Sequence, residues 1–376
     1  MKKLALNKQT KNNLITYAIV VVAYILVQIL IAAGALSYHL QGMLVSVCTY
    51  IIMAISLNLT VGILGELSLG HAGFMCVGAF LGAIFSIAMK DVITFSPLRF
   101  LLALIIGAVS AGIIGFLIGM PVLRLKGDYL AIVTLAFGEI IKNLFNILFL
   151  GVDENGVHMS TKDTISLGLS DSGTVIVKGA QGVTGMPQDA SFTIGAILIL
   201  LTLFIVLHLI QSRDGRAIMS IRDNQIAAES VGIHVSKYKL MAFTISAALA
   251  GMAGAFYVHS YGNMSSSVFD YNLSIMILVF VVLGGIGSIR GSIIAATVLT
   301  LLPELLRFMS QYRMLVYAIV LIVMMLFNWS PKVQNWKKKM LARFQFPLLK
   351  QVAKTAEDVA EIKQDVADIK KTKEAK

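Results

Sequence analysis

Apolar residues in this chain come in runs long enough to be whole helices, and polar residues collect in the short gaps between them. A helix rising 1.5 Å per residue needs about 20 apolar residues to cross about 30 Å of hydrocarbon. The runs predict about ten such spans, at 14–36, 40–61, 67–89, 98–119, 129–150, 192–211, 238–260, 270–287, 291–307 and 313–329. Backbone groups in lipid must be satisfied inside the protein, which leaves helices or a closed barrel. Barrel strands alternate every second residue, whereas the run from Leu14 to Leu36 is apolar on every side. The fold class is therefore all-α and integral to the membrane, a polytopic bundle of about ten transmembrane helices. Small residues at four-residue spacing (Gly107, Ala111, Gly115 and Gly119, and again Gly78 and Gly82) predict close helix crossings. Residues 1–330 read as one transmembrane domain, and 331–376 as a basic cytoplasmic tail of helical character.

The gaps carry the orientation, because lysine and arginine stay on the cytoplasmic side. Lys2, Lys3, Lys8 and Lys11 precede the first span, Arg124 and Lys126 follow the fourth, Arg213, Arg216 and Arg222 follow the sixth, and Lys332 with Lys337 to Lys339 follow the last. Ten spans put all of these on one side and both termini in the cytoplasm. The loop 151–191 then falls outside and leans acidic, with Asp153, Glu154, Asp163, Asp171 and Asp189 against Lys162 and Lys178. Arg307 and Arg313 lie on the opposite side from the other basic residues.

Composition agrees: 57% of residues are hydrophobic and only 14% charged, well under the quarter typical of a soluble domain. The net charge of +11 is positive-inside bias plus a basic tail, attracted to anionic lipid, and calls for no nucleic acid. Ala33-Gly34-Ala35 resembles a signal cleavage site, but the apolar run before it is longer than a signal peptide's, so an uncleaved helix is expected. Cys48 and Cys76 both fall inside spans without metal-type spacing and are expected to be small buried hydrophobes.

No phosphate-binding loop occurs; the nearest glycine cluster, 284–291, lacks a Lys-Ser or Lys-Thr pair, and no catalytic or metal motif is present. Uphill movement of a solute would draw on an ion gradient acting through intramembrane charges, or on a separate ATPase. Glu139 and Lys142 lie three apart on the fifth span and can neutralise one another. Glu66 and His71 sit in a glycine-rich break between the second and third spans. An ion-coupled carrier would depend on Glu66, Glu139 or Lys142. In the break, Gly62, Gly65, Gly70 and Gly73 interrupt helix and expose backbone, which is tolerated at membrane depth beside protein or a watery path. Asn58, Gly65, Ser68, Gly70, His71, Gly73 and Glu139 are the candidate translocation-path residues, with close helix packing as the other account of the glycines. Interhelical hydrogen bonds are the expected role of Asn58 and Asn143.

Between the sixth and seventh spans, 212–237 reads as a compact cytoplasmic handle. Asp214 or Ser220 can cap a helix over about 221–231, and Gly232 can end it in the left-handed conformation. Ile221, Ala228 and Val231 fall on one stripe, ringed by Arg222, Asp223, Asn224 and Glu229. So short a helix is marginal in water and suits an amphipathic helix-in-groove contact with a soluble partner; a solvated loop is the alternative. In the tail, Val359, Ile362, Val366 and Ile369 follow a 3-4-3 spacing after Val352 and Thr355, with Asp358, Asp365, Lys363 and Lys370 at flanking positions. The pattern suits a short coiled coil or a solvated helix.

Several blocks together resemble the branched-chain amino acid ABC permeases. They are Asn58 to Gly62, Gly65-Glu66-Leu67-Ser68-Leu69-Gly70-His71-Ala72-Gly73-Phe74, Asp128 to Ala131, Thr134 to Ile141, Gly215 to Ala217, Ile221 to Asn224, Ala227 to Ile233, and Leu283 to Ser288. The similarity covers roughly 14–330 and is closest to the second, longer permease subunit of such systems; the tail departs from the pattern. The resemblance implies an importer permease in the cell membrane without catalysis or a cofactor of its own, ATP and magnesium belonging to two cytoplasmic ATPase subunits. It also implies a second permease subunit and an extracytoplasmic solute-binding protein as partners. Branched-chain or other apolar amino acids are the implied cargo, with urea or a short amide as alternatives. Arg216, Arg222, Asp223, Glu229 and Gly232 are then the candidate residues for coupling to the ATPase.

Overall fold

The computed structural model describes residues 8–306 except 126, 155, 171 and 172, together with 312, 315, 316, 318, 319 and 322. The described residues up to Leu305 form one compact unit. The span expected at 313–329, Arg307, Arg313 and the heptad-like tail lie largely or wholly outside the described residues.

The described chain is mainly helix. The long helices are α1 (Lys8–Ala32), α2 (Tyr38–Asn58), α3 (His71–Ala88), α4 (Ser96–Val122), α5 (Asp128–Ile147) and α6 (Phe192–Gln211). Two short helices follow, α7 (Arg213–Asp223) and α8 (Gln225–Ser230), and then α9 (Val235–Val258), α10 (Tyr271–Gly284) and α11 (Ile289–Leu305). Among the described residues, eight helical segments are long and apolar enough to cross a membrane. At 17 residues α11 is shorter than these. The hydropathy pattern places α6 at its observed bounds and most other ends within a few residues.

Burial sorts the helices into a centre and a rim. α2, α3 and α9 are largely covered by protein, whereas α1 turns Leu14, Val22, Ile25, Leu26 and Ile29 outward, as a lipid-facing helix does. Glycines make the centre possible. A Cβ at Gly107 of α4 would lie 2.8 Å from the Ala255 methyl and 2.9 Å from the Gly78 carbonyl oxygen, so α3, α4 and α9 meet backbone to backbone. The expected small-residue crossing exists, and its partner is α9.

Two features are absent from the hydropathy pattern. First, α2 continues as a π-helical turn, Leu59–Leu64, closed by Gly65 at φ +84°. A wider turn of this kind leaves backbone groups outside the regular ladder, and such turns are frequent at functional sites. Second, the loop expected at 151–191 carries most strands of a small antiparallel sheet: β1 (Phe149–Asp153), β2 (Gly156–Ser160), β3 (Thr174–Lys178), β4 (Val183–Thr184) and, from beyond α9, β5 (Asn263–Met264), in the order β2-β1-β3-β4-β5. Here the reading of 129–150 as one helix is corrected, since α5 ends at Ile147 and Phe149 already pairs with Ser160 and Lys178. β5 follows α9 and pairs Met264 with Val183, which ties the sheet to the bundle. Because α6 leaves the sheet and leads to α7, while α9 leaves α8 and returns to the sheet, sheet and short helices occupy opposite ends.

Candidate functional site: the short helices and the helix break

The segment between α6 and α9 folds as two helices, which corrects the expected single helix over 221–231. Ser212 rather than Asp214 or Ser220 caps α7, its Oγ accepting from the Gly215 N–H at 3.0 Å, and Asp214 lies in the first turn, where a negative charge is favoured. Asn224 breaks the run and caps α8 by accepting from the Ala227 N–H at 3.0 Å. As expected, Gly232 follows α8 in the left-handed region at φ +86°.

The apolar stripe also differs from the expected one. Ile218 packs with Leu59, Ile63, Leu64 and Ala242, so α7 sits directly beneath the π-helical turn. Ile221 and Ala228 are buried with Val235. Val231, placed on the same stripe by a continuous helix, is 75% exposed because α8 ends at Ser230 and Val231 is where the chain leaves it; Ile226 is 80% exposed. Arg216, Glu229 and Gly232 are exposed as well, and Arg216 donates to the Gln211 carbonyl at 3.0 Å. The result is a small outward surface that mixes two bare aliphatic side chains with charge.

Arg222 points the other way. Its Nη1 donates to the Gly62 carbonyl at 3.0 Å, inside the π-helical turn, while Nε and Nη2 hold Asp223 at 3.1 and 2.9 Å. A Cβ on Gly65 would meet Arg222 Cγ at 2.6 Å, so a glycine is needed there for space as well as for its positive φ. Lys239, on the first turns of α9, is 6% exposed and forms an ion pair with Glu66. A lysine one turn inside an apolar run needs a carboxylate partner, and Glu66 is the acidic residue of the break. That pairing was the available signal, and the hydropathy pattern alone does not reveal it.

From Gly65 to Gly70 the chain is irregular and is satisfied by neighbouring helices. Thr134 Oγ1 accepts from the Leu69 N–H at 3.0 Å, and Ser274 Oγ from the Ala72 N–H at 3.0 Å, serving a helix N-terminus that lacks a side-chain cap of its own. His71 Nε2 lies 2.5 Å from Ser56 Oγ, and the Ser246 hydroxyl donates to the Ser56 carbonyl. The Ser68 hydroxyl is buried without a hydrogen-bond partner among the described residues. Gly70 and Gly73 press against α5: a Cβ at Gly70 would overlap the Thr134 carbonyl, and one at Gly73 would lie 2.7 Å from Gly138 Cα. Asn58 is fully buried, accepts from the Gly287 N–H at 2.9 Å and donates to Ser292 Oγ at 3.0 Å, the expected interhelical bridge. Asn143 is exposed and makes no such bridge among the described residues. Glu139 and Lys142 pair as their spacing predicts, and Glu139 Oε1 also accepts from the Tyr271 N–H at 3.1 Å. Gly70 and Gly73 are thus brought together against α5, with Gly73 and Glu139 lining one small cleft at the start of α10, whereas Asn58 lies against Gly287 and Ser292, His71 against Ser56, and Gly65 against Arg222.

At the sheet end a second polar group escapes sequence reading. Arg99 is 6% exposed, faces Asp189 at 3.8 Å and donates to the Ile93 carbonyl at 3.2 Å, while Ser96 Oγ donates to Asp189 at 2.7 Å. His259, just past the end of α9, is fully buried beside Phe100 and is hydrogen-bonded through Nδ1 to the Ala255 carbonyl at 2.7 Å. Burial holds its pKa down at about 4; Arg99 pushes the same way, and the Ala255 carbonyl and Asp189 oppose. No cluster of His, Cys, Asp and Glu among the described residues is arranged to hold a metal ion, and both cysteines are free and buried.

The family described as "Branched-chain amino acid transport system / permease component" matches residues 39–327 of the chain. The chain belongs to that family. It is 36% identical over 321 residues to the high-affinity branched-chain amino acid transport system permease protein LivM of Escherichia coli (strain K12), covering 82% of this chain and 73% of that one. The probable branched-chain amino acid transport permease protein LivM of Methanocaldococcus jannaschii is 24% identical over 276 residues, 64% of this chain and 74% of that one. A shorter match, 29% over 126 residues, links it to the fructose import permease protein FruG of Bifidobacterium longum, covering 31% of this chain and 36% of that one. With its apolar helices, the chain is a multi-pass membrane permease, and its relatives are transport subunits.

Proposed function

We propose that this chain is a membrane-spanning subunit of an ATP-driven importer for branched-chain or other apolar amino acids. In this reading α7–α8 dock on a cytoplasmic ATPase, and the break around 58–73 borders the translocation path. The observation that carries the proposal is the two-faced character of α7–α8. Ile226, Val231, Glu229 and Gly232 face outward, while Ile218 and Arg222 fasten α7 to the π-helical turn and Ile221 packs with Ala228 and Val235. Exposed aliphatic side chains on a short capped helix suit a groove on a soluble partner.

Two ATPase subunits, a second permease subunit and an extracytoplasmic binding protein complete the machine, and ATP with magnesium resides on the ATPases. The chain itself performs no catalysis and binds no cofactor. Arg213, Arg216 and Arg222 on α7 support a cytoplasmic position for the short helices and for both termini, which puts the sheet outside. Nucleotide bound by the partner supplies the difference in affinity between two states that any such switch needs. The proposed path is Asn58, Gly65, Ser68, Gly70, His71, Gly73 and Glu139, supported by the buried Ser68 hydroxyl, which has no hydrogen-bond partner among the described residues. Pairing of Glu66 with Lys239 and of Glu139 with Lys142 leaves both carboxylates neutralised, which speaks against an ion-coupled carrier.

The test is labelled leucine uptake into vesicles that hold this chain with its partner subunits and binding protein, with and without ATP on the cytoplasmic face. Uptake that requires ATP and survives collapse of ion gradients is expected. Uptake abolished by an uncoupler but indifferent to ATP refutes the proposal. ATPase stimulation by urea, a short amide or a sugar in place of leucine would keep the machine and change the cargo, as the relative named for fructose illustrates.

A further inference from the structure

Two polar ties run from the short helices into the bundle. The first is Arg222, whose guanidinium reaches the Gly62 carbonyl. The second is a chain of four residues. Glu229, exposed on α8, accepts from Gln225 Nε2 at 3.1 Å; Gln225 Oε1 accepts from Lys239 Nζ at 3.3 Å; and Lys239 pairs with Glu66. The Lys239 and Glu66 side chains are only 7% and 16% exposed. Glu66 stands four residues after Gly62 and two before the unpartnered Ser68.

A buried ion pair adds little net stability, because desolvation offsets most of the attraction, but it fixes one geometry sharply. With Arg222 as the one polar tie beside the apolar packing of Ile218, α8 could pivot about α7 and dissipate a push in the loop. A second tie four residues along removes that freedom. We infer that Glu66 and Lys239 are a positioning pair that makes the irregular chain at 65–70 follow α8, delivering its displacement to Ser68 and His71. This inference rests on the reading of α7–α8 as the surface that meets the ATPase. The coupling runs through contiguous contacts from an exposed carboxylate to a buried one, with no gap longer than a hydrogen bond.

The experiment measures leucine moved per ATP hydrolysed by the full complex in vesicles. Glu66→Gln strands a buried lysine and risks misfolding, so two further variants accompany it. Gln225→Ala cuts the chain while leaving the ion pair whole, and the exchange Glu66→Lys with Lys239→Glu reverses the pair. Expected are normal assembly and ATP hydrolysis in Gln225→Ala with at least a threefold fall in the ratio, about a tenfold fall in Glu66→Gln, and recovery to within threefold of wild type in the exchange. A wild-type ratio in Gln225→Ala overturns the inference, and so does an exchanged pair that inserts normally without restoring the ratio. If the wild-type complex itself takes up leucine without ATP, the importer reading falls and takes this inference with it; the wild-type arm therefore separates the two failures.

Discussion

Alanine at Gly107 tests the packing of the bundle centre quantitatively. A methyl there would sit 2.8 Å from Ala255 Cβ, 2.9 Å from the Gly78 oxygen and 3.3 Å from the Gly251 oxygen. Carbon atoms pack comfortably at about 3.5–4.0 Å, so α4 must move out by roughly 1 Å, and a gap of that size forfeits a quarter to a half of the dispersion energy along the seam. Overpacking typically costs about 1–3 kcal/mol. The upper end applies because all three neighbours are backbone atoms or a Cβ, which no rotamer change can clear. Replacing glycine in a helix returns about 1 kcal/mol, which leaves a net loss of about 2 kcal/mol. Gly42→Ala is the control. It lies in α2, is exposed and has nothing within 4 Å of the added methyl, so only the helix-propensity gain remains. The two substitutions, identical in chemistry, are expected to differ in sign and by about 3 kcal/mol. A thiol-reactive dye reports unfolding in detergent micelles, because Cys48 and Cys76 are both buried and free and become accessible only when the bundle opens. At about 2 °C per kcal/mol for a chain this large, Gly107→Ala should lower the midpoint by about 4 °C and Gly42→Ala raise it by about 2 °C at one heating rate. Equal midpoints for the two variants would refute the convergence of α3, α4 and α9 at Gly107.

Two further outcomes follow from named side chains. Burial keeps His259 neutral in the folded protein down to about pH 4, whereas the unfolded chain takes up its proton near pH 6.5; folding therefore loses up to about 1.4 kcal/mol per unit as pH falls through that window, and nothing from this group above it. Thermal midpoints measured from pH 7 to pH 4.5 should fall less steeply in His259→Gln than in wild type, and parallel curves would sink the assignment. Ile226 and Val231, 80% and 75% exposed, should anchor α8 on the ATPase, so Ile226→Asp with Val231→Asp should cut co-purification of the ATPase at least tenfold while leaving the midpoint of the permease within a degree or two of wild type.

Hydropathy alone determines that this chain crosses the membrane many times, and where. A 20-residue apolar run has one way to satisfy its backbone in lipid, so α1, α6 and α9 could be read directly from the sequence. Gly232 after α8 and the Glu139–Lys142 pair were equally visible, since each depends on neighbours within one helical turn. Local pattern could not reveal contacts made across long sequence separations. Lys239 finds Glu66 across 173 positions, Arg222 finds Gly62 across 160, and Asn58 finds Gly287 across 229. The sheet escaped notice because its strands are short, and one of them, β5, follows a different helix. Val231 leaves the stripe because α8 ends at Ser230, one residue before it, while Ala228 keeps its place beside Ile221. Spans are fixed by composition against lipid, a property of each segment by itself. Which span touches which, and how the short helices grip the break, depend on glycine-sized gaps and buried polar pairs that exist only once the helices have packed.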